Sequence, residues 1–283
     1  MDNSGELPYF SMDQYSDTAD LLLQFDLETL KERTAPSPER DLLTSDSEIL
    51  GDKEAAWCKK VLGLTHFLVR GTRWDIACTV ARISQFNQQP TAGMKLALEY
   101  LAGYLLHTLD HKIGGSRPTE PDKIRVFCDS DHYGDSRLTH KSHTGVMILL
   151  NGVPVHWRSN KQPRIAESPA AAEIYALKEA IKDSRLFCWV AEEMGLNVQW
   201  SFTVMCDSAQ AISFQKDTCP RSKLRGSIDL RLAWVKEMRD LKMVSVEKVA
   251  SEENAADLLT KIMRPSKFRN LRDKIQNFEA AQI

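Results

Sequence analysis

No two of the six cysteines in this chain of 283 residues form a CxxC pair; Cys58, Cys78, Cys128, Cys188, Cys206 and Cys219 follow no regular spacing. That excludes the usual zinc-ribbon patterns and argues against a disulfide framework. Reduced thiols of an intracellular protein, cytoplasmic or nuclear, are expected instead. No apolar run approaches the roughly 20 residues that span a bilayer, so no membrane partner is expected. The opening MDNSGELPYF lacks a basic stretch followed by an apolar one, the pattern of a secretory signal. An excess of positive charge is missing too. The net charge is −2, so any binding of a polyanion has to come from a local basic face.

Charge is nonetheless unevenly spread. Residues 1–53 carry 13 acidic against 4 basic side chains. Residues 261–274 hold Lys261, Arg264, Lys267, Arg269, Arg272 and Lys274 against Asp273 alone. The acidic start, residues 1–52, has a weak helical pattern from Tyr15 to Leu30 and reads as partly mobile. Residues 53–113 repeat apolar positions at helical spacing, as in Trp57, Val61, Leu64 and Phe67, and predict three packed helices. Gly114-Gly115-Ser116-Arg117-Pro118 then breaks the pattern and reads as a linker.

Beyond residue 122 the texture is α/β. Strands are expected at Ile124–Cys128, Thr144–Leu150, Val153–Arg158, Phe202–Cys206 and Val244–Val249, with an Asn151-Gly152 hairpin turn joining the second and third. A long helix starts at Ser168-Pro169 and ends near Gly195; others follow at Ser208–Gln215, Ile228–Leu241 and Ala255–Lys261. The ordering predicts a mixed five-stranded sheet with helices packed against it, and residues 266–283 as a terminal helix or tail.

Four acids stand where strands end or helices begin: Asp129, Glu173, Asp207 and Asp257. Ordinary duties fit three of them singly. Asp207 can cap a helix, Asp257 lies at a capping-box position after Asn254, and Asp129 can serve a turn. Glu173 is harder to place, because it lies beside the core-facing stripe of Leu177, Ala180 and Ser184, where an unpaired carboxylate is costly. Gathered carboxylates repel one another unless cations neutralise them. Such hard oxygen donors select Mg²⁺, with Mn²⁺ as an alternative. Two ions about 4 Å apart can activate water and stabilise a leaving oxygen in phosphodiester hydrolysis. Spacing alone does not bring the four acids together.

The ordered segments VFCDSDHYGD, KSHTGVMILLNGVPVHWRSNKQP, AESPAAAEIYAL, VMCDSAQAI and AADLLTK resemble the ribonuclease H domain of copia-type LTR-retrotransposon Pol polyproteins. The resemblance covers residues 122–265. ARISQFNQQPTAGMKLALEYLAGYLLHTLDH resembles the segment joining polymerase to nuclease, and FSMDQYSDTADLLLQFDLETLKERTAPSP the stretch after the polymerase core. The whole is similar to the C-terminal piece of such a polyprotein. The resemblance implies a ribonuclease H-like α/β fold behind a small helical region. It implies metal ligation by Asp129, Glu173, Asp207 and Asp257, two Mg²⁺ ions, and cleavage of the RNA strand of RNA–DNA hybrids, with other parts of a polyprotein as partners. His132-Tyr133 stand where the family commonly has Trp. Gly226-Ser227-Ile228-Asp229 replaces Lys-His-Ile-Asp, and Ala170-Ala171-Ala172-Glu173 replaces Thr-Glu-Ala-Glu. A nucleic-acid-binding relic without turnover is therefore the alternative reading.

For substrate contact, Trp157, Arg158, Ser159, Lys161 and Gln162 are the leading candidates, with Lys141 and Ser142 in the facing turn. Trp157 as a core residue fits equally well. The histidines, among them the i, i+4 pair His107 and His111 and the group His132, His140 and His143, find no acid or cysteine at zinc-site spacing and read as ordinary.

Overall fold

A computed structural model describes residues 9–39, 42–44, 46–116, 124–132, 139–196, 198, 200–209, 212–213 and 229–276. The hairpin that opens the sheet is set by its turn. Asn151 and Gly152 both adopt positive φ, 53° and 88°, the backbone that a two-residue hairpin needs and that these two residue types supply. The turn joins β4 (His143–Leu150) to β5 (Val153–Lys161), and β4 also pairs antiparallel with β3 (Ile124–Asp131). On the other edge of β3 lies β6 (Phe202–Cys206), parallel, followed by β7 (Val244–Lys248), also parallel. The spatial order is β5-β4-β3-β6-β7, a mixed sheet of five strands with helices on its flanks. Strand β3 runs past the expected end at Cys128, so Asp129 is not a turn residue. It sits inside the ladder opposite Gly145.

Alternation along β3 sends its side chains to two faces. Val126 and Cys128 join Val146, Ile148 and Val204 against helix α5 (Pro169–Glu193), which contributes Ala172, Leu177, Ala180 and Ile181. Ser168 caps α5 by accepting from the Ala171 N–H, and Pro169 occupies its first turn. Helix α6 (Asp229–Asp240) packs on α5. The expected helix at Ser208–Gln215 lies largely outside the described residues, as do Cys219 and Gly226-Ser227-Ile228.

Phe127, Met147, Leu149 and Met205 point to the opposite face, into a second core. It is built from α1 (Tyr15–Gln24), α2 (Asp52–Gly71), α3 (Ala77–Ile83), α4 (Ala92–His107), a 3-10 turn at Ala255–Leu259 and the closing helix α7 (Pro265–Gln276). The helices expected across residues 53–113 are thus present, and they cover this side of the sheet.

Two readings need correction. Gly114-Gly115-Ser116, expected to open a linker, instead belong with the two residues before them to β2 (Lys112–Ser116), paired antiparallel with β1 (Tyr9–Asp13). Glycine is poor in strands by itself, but a partner strand distant in sequence supplies the ladder here. The acidic start also packs: Leu21, Leu22, Leu27 and Ala35 are buried in the helical core. Apolar burial outweighs the unfavourable charge balance there.

Candidate active site

The site is assembled at the ends of β3 and β6 from four elements. Asp129 projects from β3 and is 1% exposed; Asp207 follows β6 directly; Glu173 comes from the first turns of α5; Asp257 sits in the 3-10 turn and is also 1% exposed. One carboxylate oxygen from each of Asp129, Asp207 and Asp257 lies within 4.8 Å of the others. Glu173 and Asp207 form an overlapping group of the same compactness with the Cys206 sulfur. Asp207 joins the two. The four acids, far apart along the chain, therefore meet at one place.

Local rules explain how they are held. Asn254 caps the 3-10 turn, accepting from the Ala256 N–H, while its Nδ2 donates to the Cys128 carbonyl and ties the turn to β3. Gly145, opposite Asp129, lets the turn lie flat on β4: an added Cβ would meet the Ala256 carbonyl oxygen at 2.7 Å. The Thr260 hydroxyl donates to Asp129 Oδ2, and the Ser251 hydroxyl donates to Asp207 Oδ2 at 3.0 Å. Arg82, on α3, reaches both Asp131 Oδ2 at 3.1 Å and the Thr260 carbonyl at 3.2 Å. The helical region thereby braces the same corner.

Two lysines enter the cluster. Lys261 Nζ lies 2.7 Å from Asp257 Oδ1 and 3.2 Å from Asp129 Oδ1, and Lys267 Nζ 3.6 Å from Asp257 Oδ2. The carboxylates hold the Lys261 ammonium above its ordinary value despite burial. Neutralisation is still incomplete. Burial, with Asp257 and Asp207 adding repulsion, pushes Asp129 up to about 6 against the pull of Lys261 and Thr260. Burial first, then Asp129, Cys206 and Asp207, pushes Glu173 up to about 10. Glu173 Oε2 is buried with no hydrogen-bond partner among the described residues.

These features fit a divalent cation. The donors are hard oxygens, the carboxylates are too close to ionise together unaided, and one buried oxygen waits for a positive partner. Asp129, Glu173, Asp207 and Asp257 are the residues that would hold it.

No family model matches the chain. A retrovirus-related Pol polyprotein from transposon TNT 1-94 of Nicotiana tabacum is 33% identical over 199 residues, covering 70% of this chain and 14% of the relative. The corresponding polyprotein from transposon RE1 of Arabidopsis thaliana is 26% identical over 268 residues, 90% of this chain and 17% of the relative. The chain is a homologue of copia-type retrotransposon Pol polyproteins. It spans about a sixth or less of the length of these two. Among solved structures, LC11-RNase H1 from a compost metagenome is 21% identical, with a TM-score of 0.38, covering 49% of this chain and 92% of that one.

Within this Pol-related chain the expected substrate-contacting residues are not drawn into the acid cluster. Trp157 donates from Nε1 to the Val69 carbonyl at 2.7 Å and packs against the helical core. Arg158 forks between Glu179 at 2.8 Å and Asp183 at 2.7 Å. The Ser159 hydroxyl donates to the Leu259 carbonyl at 2.6 Å, and Gln162 Nε2 donates to Thr144 and to the Ala172 carbonyl. Lys161 bonds Gln85 on the helical side. Ser142 is buried, 3.4 Å from His132 Nδ1, and Lys141 is half-buried before β4. Trp157, Ser159 and Gln162 thus serve the join between sheet, helices and 3-10 turn.

Among the described residues no histidine enters a group able to hold a metal. His107 meets Glu32, His111 meets Gln276 and His143 meets Ser159. Sequence reasoning passed over Lys261 and Thr260 as parts of the site. Their spacing from Asp257, i+4 and i+3, was the available signal. Ser251 carries no such signal.

Proposed function

We propose that this chain hydrolyses the RNA strand of RNA–DNA hybrids as a ribonuclease H-type endonuclease that depends on divalent metal ions, Mg²⁺ in the first instance. The observation that carries the reading is the convergence of Asp129, Glu173, Asp207 and Asp257, with Glu173 Oε2 buried and unsatisfied among the described residues. Bound ions would supply water activation and charge stabilisation at the scissile phosphodiester. The chain's own residues hold the geometry. Thr260 and Ser251 orient Asp129 and Asp207, and Lys261 and Lys267 temper the acids' repulsion. Burial and the neighbouring acids hold the Glu173 carboxyl well above its ordinary range, and a bound cation would favour its ionised form.

Incubating the full chain with a labelled RNA–DNA hybrid and Mg²⁺ should release RNA fragments. Asp207→Asn should lower the rate by about three orders of magnitude or more. Cleavage that survives this substitution overturns the assignment. A second reading, hybrid binding without turnover, is favoured by Lys261, whose ammonium already bridges Asp129 and Asp257 where cations would act. Equal hybrid affinity with and without Mg²⁺, and no product at long times, would select it.

A further inference from the structure

A dense run of positive charge lies on the closing helix and the residues just before it. Residues 261–274 carry six basic side chains against Asp273, a net +5 within a protein of net −2. This helix is fixed, not a solvated tail. Phe268, Leu271 and Ile275 of α7 are buried in the helical core, and Arg272 Nη1 donates to the Tyr104 hydroxyl at 3.1 Å. That anchoring decides which basic residues can act together. Lys267, Asn270 and Lys274 recur at i, i+3 and i+7, so they share one flank of the helix, while Arg269 and Arg272 belong to the other. All three of the first flank are exposed.

The flank has a direction. At its near end Lys267 Nζ is 3.6 Å from Asp257 Oδ2, inside the acid cluster, with half of its side chain open to solvent. At its far end Lys274 stands seven residues on, about 10 Å along the axis at a rise of roughly 1.5 Å per residue. That length is about three base-pair rises along a duplex axis, at roughly 3.4 Å of axis per phosphate of one strand. Just before the helix, the Arg264 side chain is 82% exposed.

We infer that the Lys267–Asn270–Lys274 flank of α7 is a track for the phosphate backbone of the nucleic acid, leading that strand to the four carboxylates. The inference rests on the nuclease reading for the identity of the duplex, an RNA–DNA hybrid. Charge complementarity and the contact at Asp257 locate it. A fixed stripe of point charges beside a carboxylate cluster also has a positioning use: it holds the polyanion by its backbone while the acids, whose own charge repels it, meet one phosphodiester.

The test reads counterion release, which a merely solvated helix does not produce. Full-length Asp207→Asn protein in Mg²⁺, expected to cleave too slowly to consume the substrate, is titrated with a fluorescent RNA–DNA hybrid between about 50 and 200 mM salt. Adding Lys274→Gln should reduce the slope of log affinity against log salt by about 0.9, and adding Lys267→Gln as well by about 1.8. Lys274→Arg should restore the slope. Arg269→Gln, on the other flank of the same helix, should leave it unchanged. None of these touches Phe268, Leu271 or Ile275, and an unaltered melting temperature checks that the helix stays docked. An unchanged slope in the double variant, or an equal loss from Arg269→Gln, overturns the track while leaving the nuclease reading standing. A parent that neither binds hybrid here nor cleaves it as wild type overturns both.

Discussion

Asp75 and Asp129 are each 1% exposed, but their surroundings treat the negative charge in opposite ways. Burial alone would raise Asp75. Arg73 outweighs it, donating from Nε at 3.0 Å and Nη2 at 2.9 Å, and the Tyr104 hydroxyl adds a third bond at 2.7 Å. Asp75 is held well below the usual carboxylate range. Asp129 instead shares its corner with three other acids and rises to about 6, and Glu173 rises to about 10. In the first cluster Arg73 and Tyr104 compensate the carboxylate, with His111 Nε2 3.9 Å away, and the cluster fastens the helical region to α7 through Arg272 and Tyr104. The second is left short of positive charge. The deficit at Asp129 and Glu173, set against the compensated Asp75, supports the cation site proposed for that corner.

The sharpest break of that contrast is mutational. Asp75→Asn removes the anion that compensates a buried Arg73 and should cost about 3–5 kcal/mol by urea unfolding. Glu173→Gln in chelator should instead stabilise the protein at pH 7, by about 1–3 kcal/mol, because the glutamate must take up a proton on folding and the glutamine need not. Equal losses from both would erase the distinction. The pH dependence should also have opposite signs. The lowered Asp75 gives stability that is present above its unfolded value of 3.8 and is lost as pH falls towards its folded value. The raised Asp129 and Glu173 leave stability full below about pH 4, and it drains as pH rises through about 6 and then about 10. Thermal melts in chelator across roughly pH 3 to 10 should therefore lose the acid limb in Asp75→Asn and the Glu173 part of the upper limb in Glu173→Gln.

Cation binding comes next in size. Mg²⁺ at about 100 times its dissociation constant should add about 2.7 kcal/mol to the wild type, through the deficient cluster alone. Asp207→Asn should lose that gain, whereas Asp75→Asn should keep it on its lower baseline. Calorimetric melts with and without Mg²⁺ measure both. A gain that persists in Asp207→Asn would place the cation elsewhere.

The two clusters also differ in how far they could be read from the residues alone. The acids of the deficient site were legible through the ordered motifs of the family resemblance; local signatures, such as the strand before Asp207 or the Ser168-Pro169 start of the helix carrying Glu173, placed them on elements without bringing them together, and Asp129 lies inside β3 and not at its expected end. The Asn151-Gly152 turn was legible locally, since its backbone demand is met by the two residues themselves. Arg73 and Asp75 gave no such sign. Two residues apart in sequence, they look like an exposed pair, and only the meeting of α4, α7 and the 3-10 turn at Trp74–Ile76 buries them. The pairing of Tyr9–Asp13 with Lys112–Ser116 was hidden likewise, because it joins segments about a hundred residues apart and one of them carries two glycines. Trp157 lay between these cases. Its sequence position allowed core or substrate, and the carbonyl of Val69, 88 residues away, decides for an internal bond.

The smallest effect concerns the contact that brings Asp257 to Asp129. At Gly145 an added Cβ would lie 2.7 Å from the Ala256 carbonyl oxygen, 2.8 Å from Thr260 Cγ2 and 3.0 Å from Leu259 Cβ. Two of these neighbours are side-chain carbons, but the nearest is backbone and cannot rotate aside, so the 3-10 turn must lift from β4. Gly145→Ala should cost about 1–3 kcal/mol as an overpacked contact. Gly51→Ala, where nothing lies within 4 Å of the new carbon, should show no such clash. The informative part is what the lifted turn does to each cluster. Asp257, Thr260 and Lys261 all ride on or just after that turn, so the Mg²⁺-dependent stabilisation should shrink along with the overall stability. The Arg73–Asp75 pair touches the turn's neighbourhood but takes its own bonds from Thr108 and Tyr104, so the acid limb of the pH profile should keep its position. An unchanged Mg²⁺ response in Gly145→Ala would mean that Asp257 reaches the other acids without the flat seating on β4, and the glycine would then be explained by packing alone.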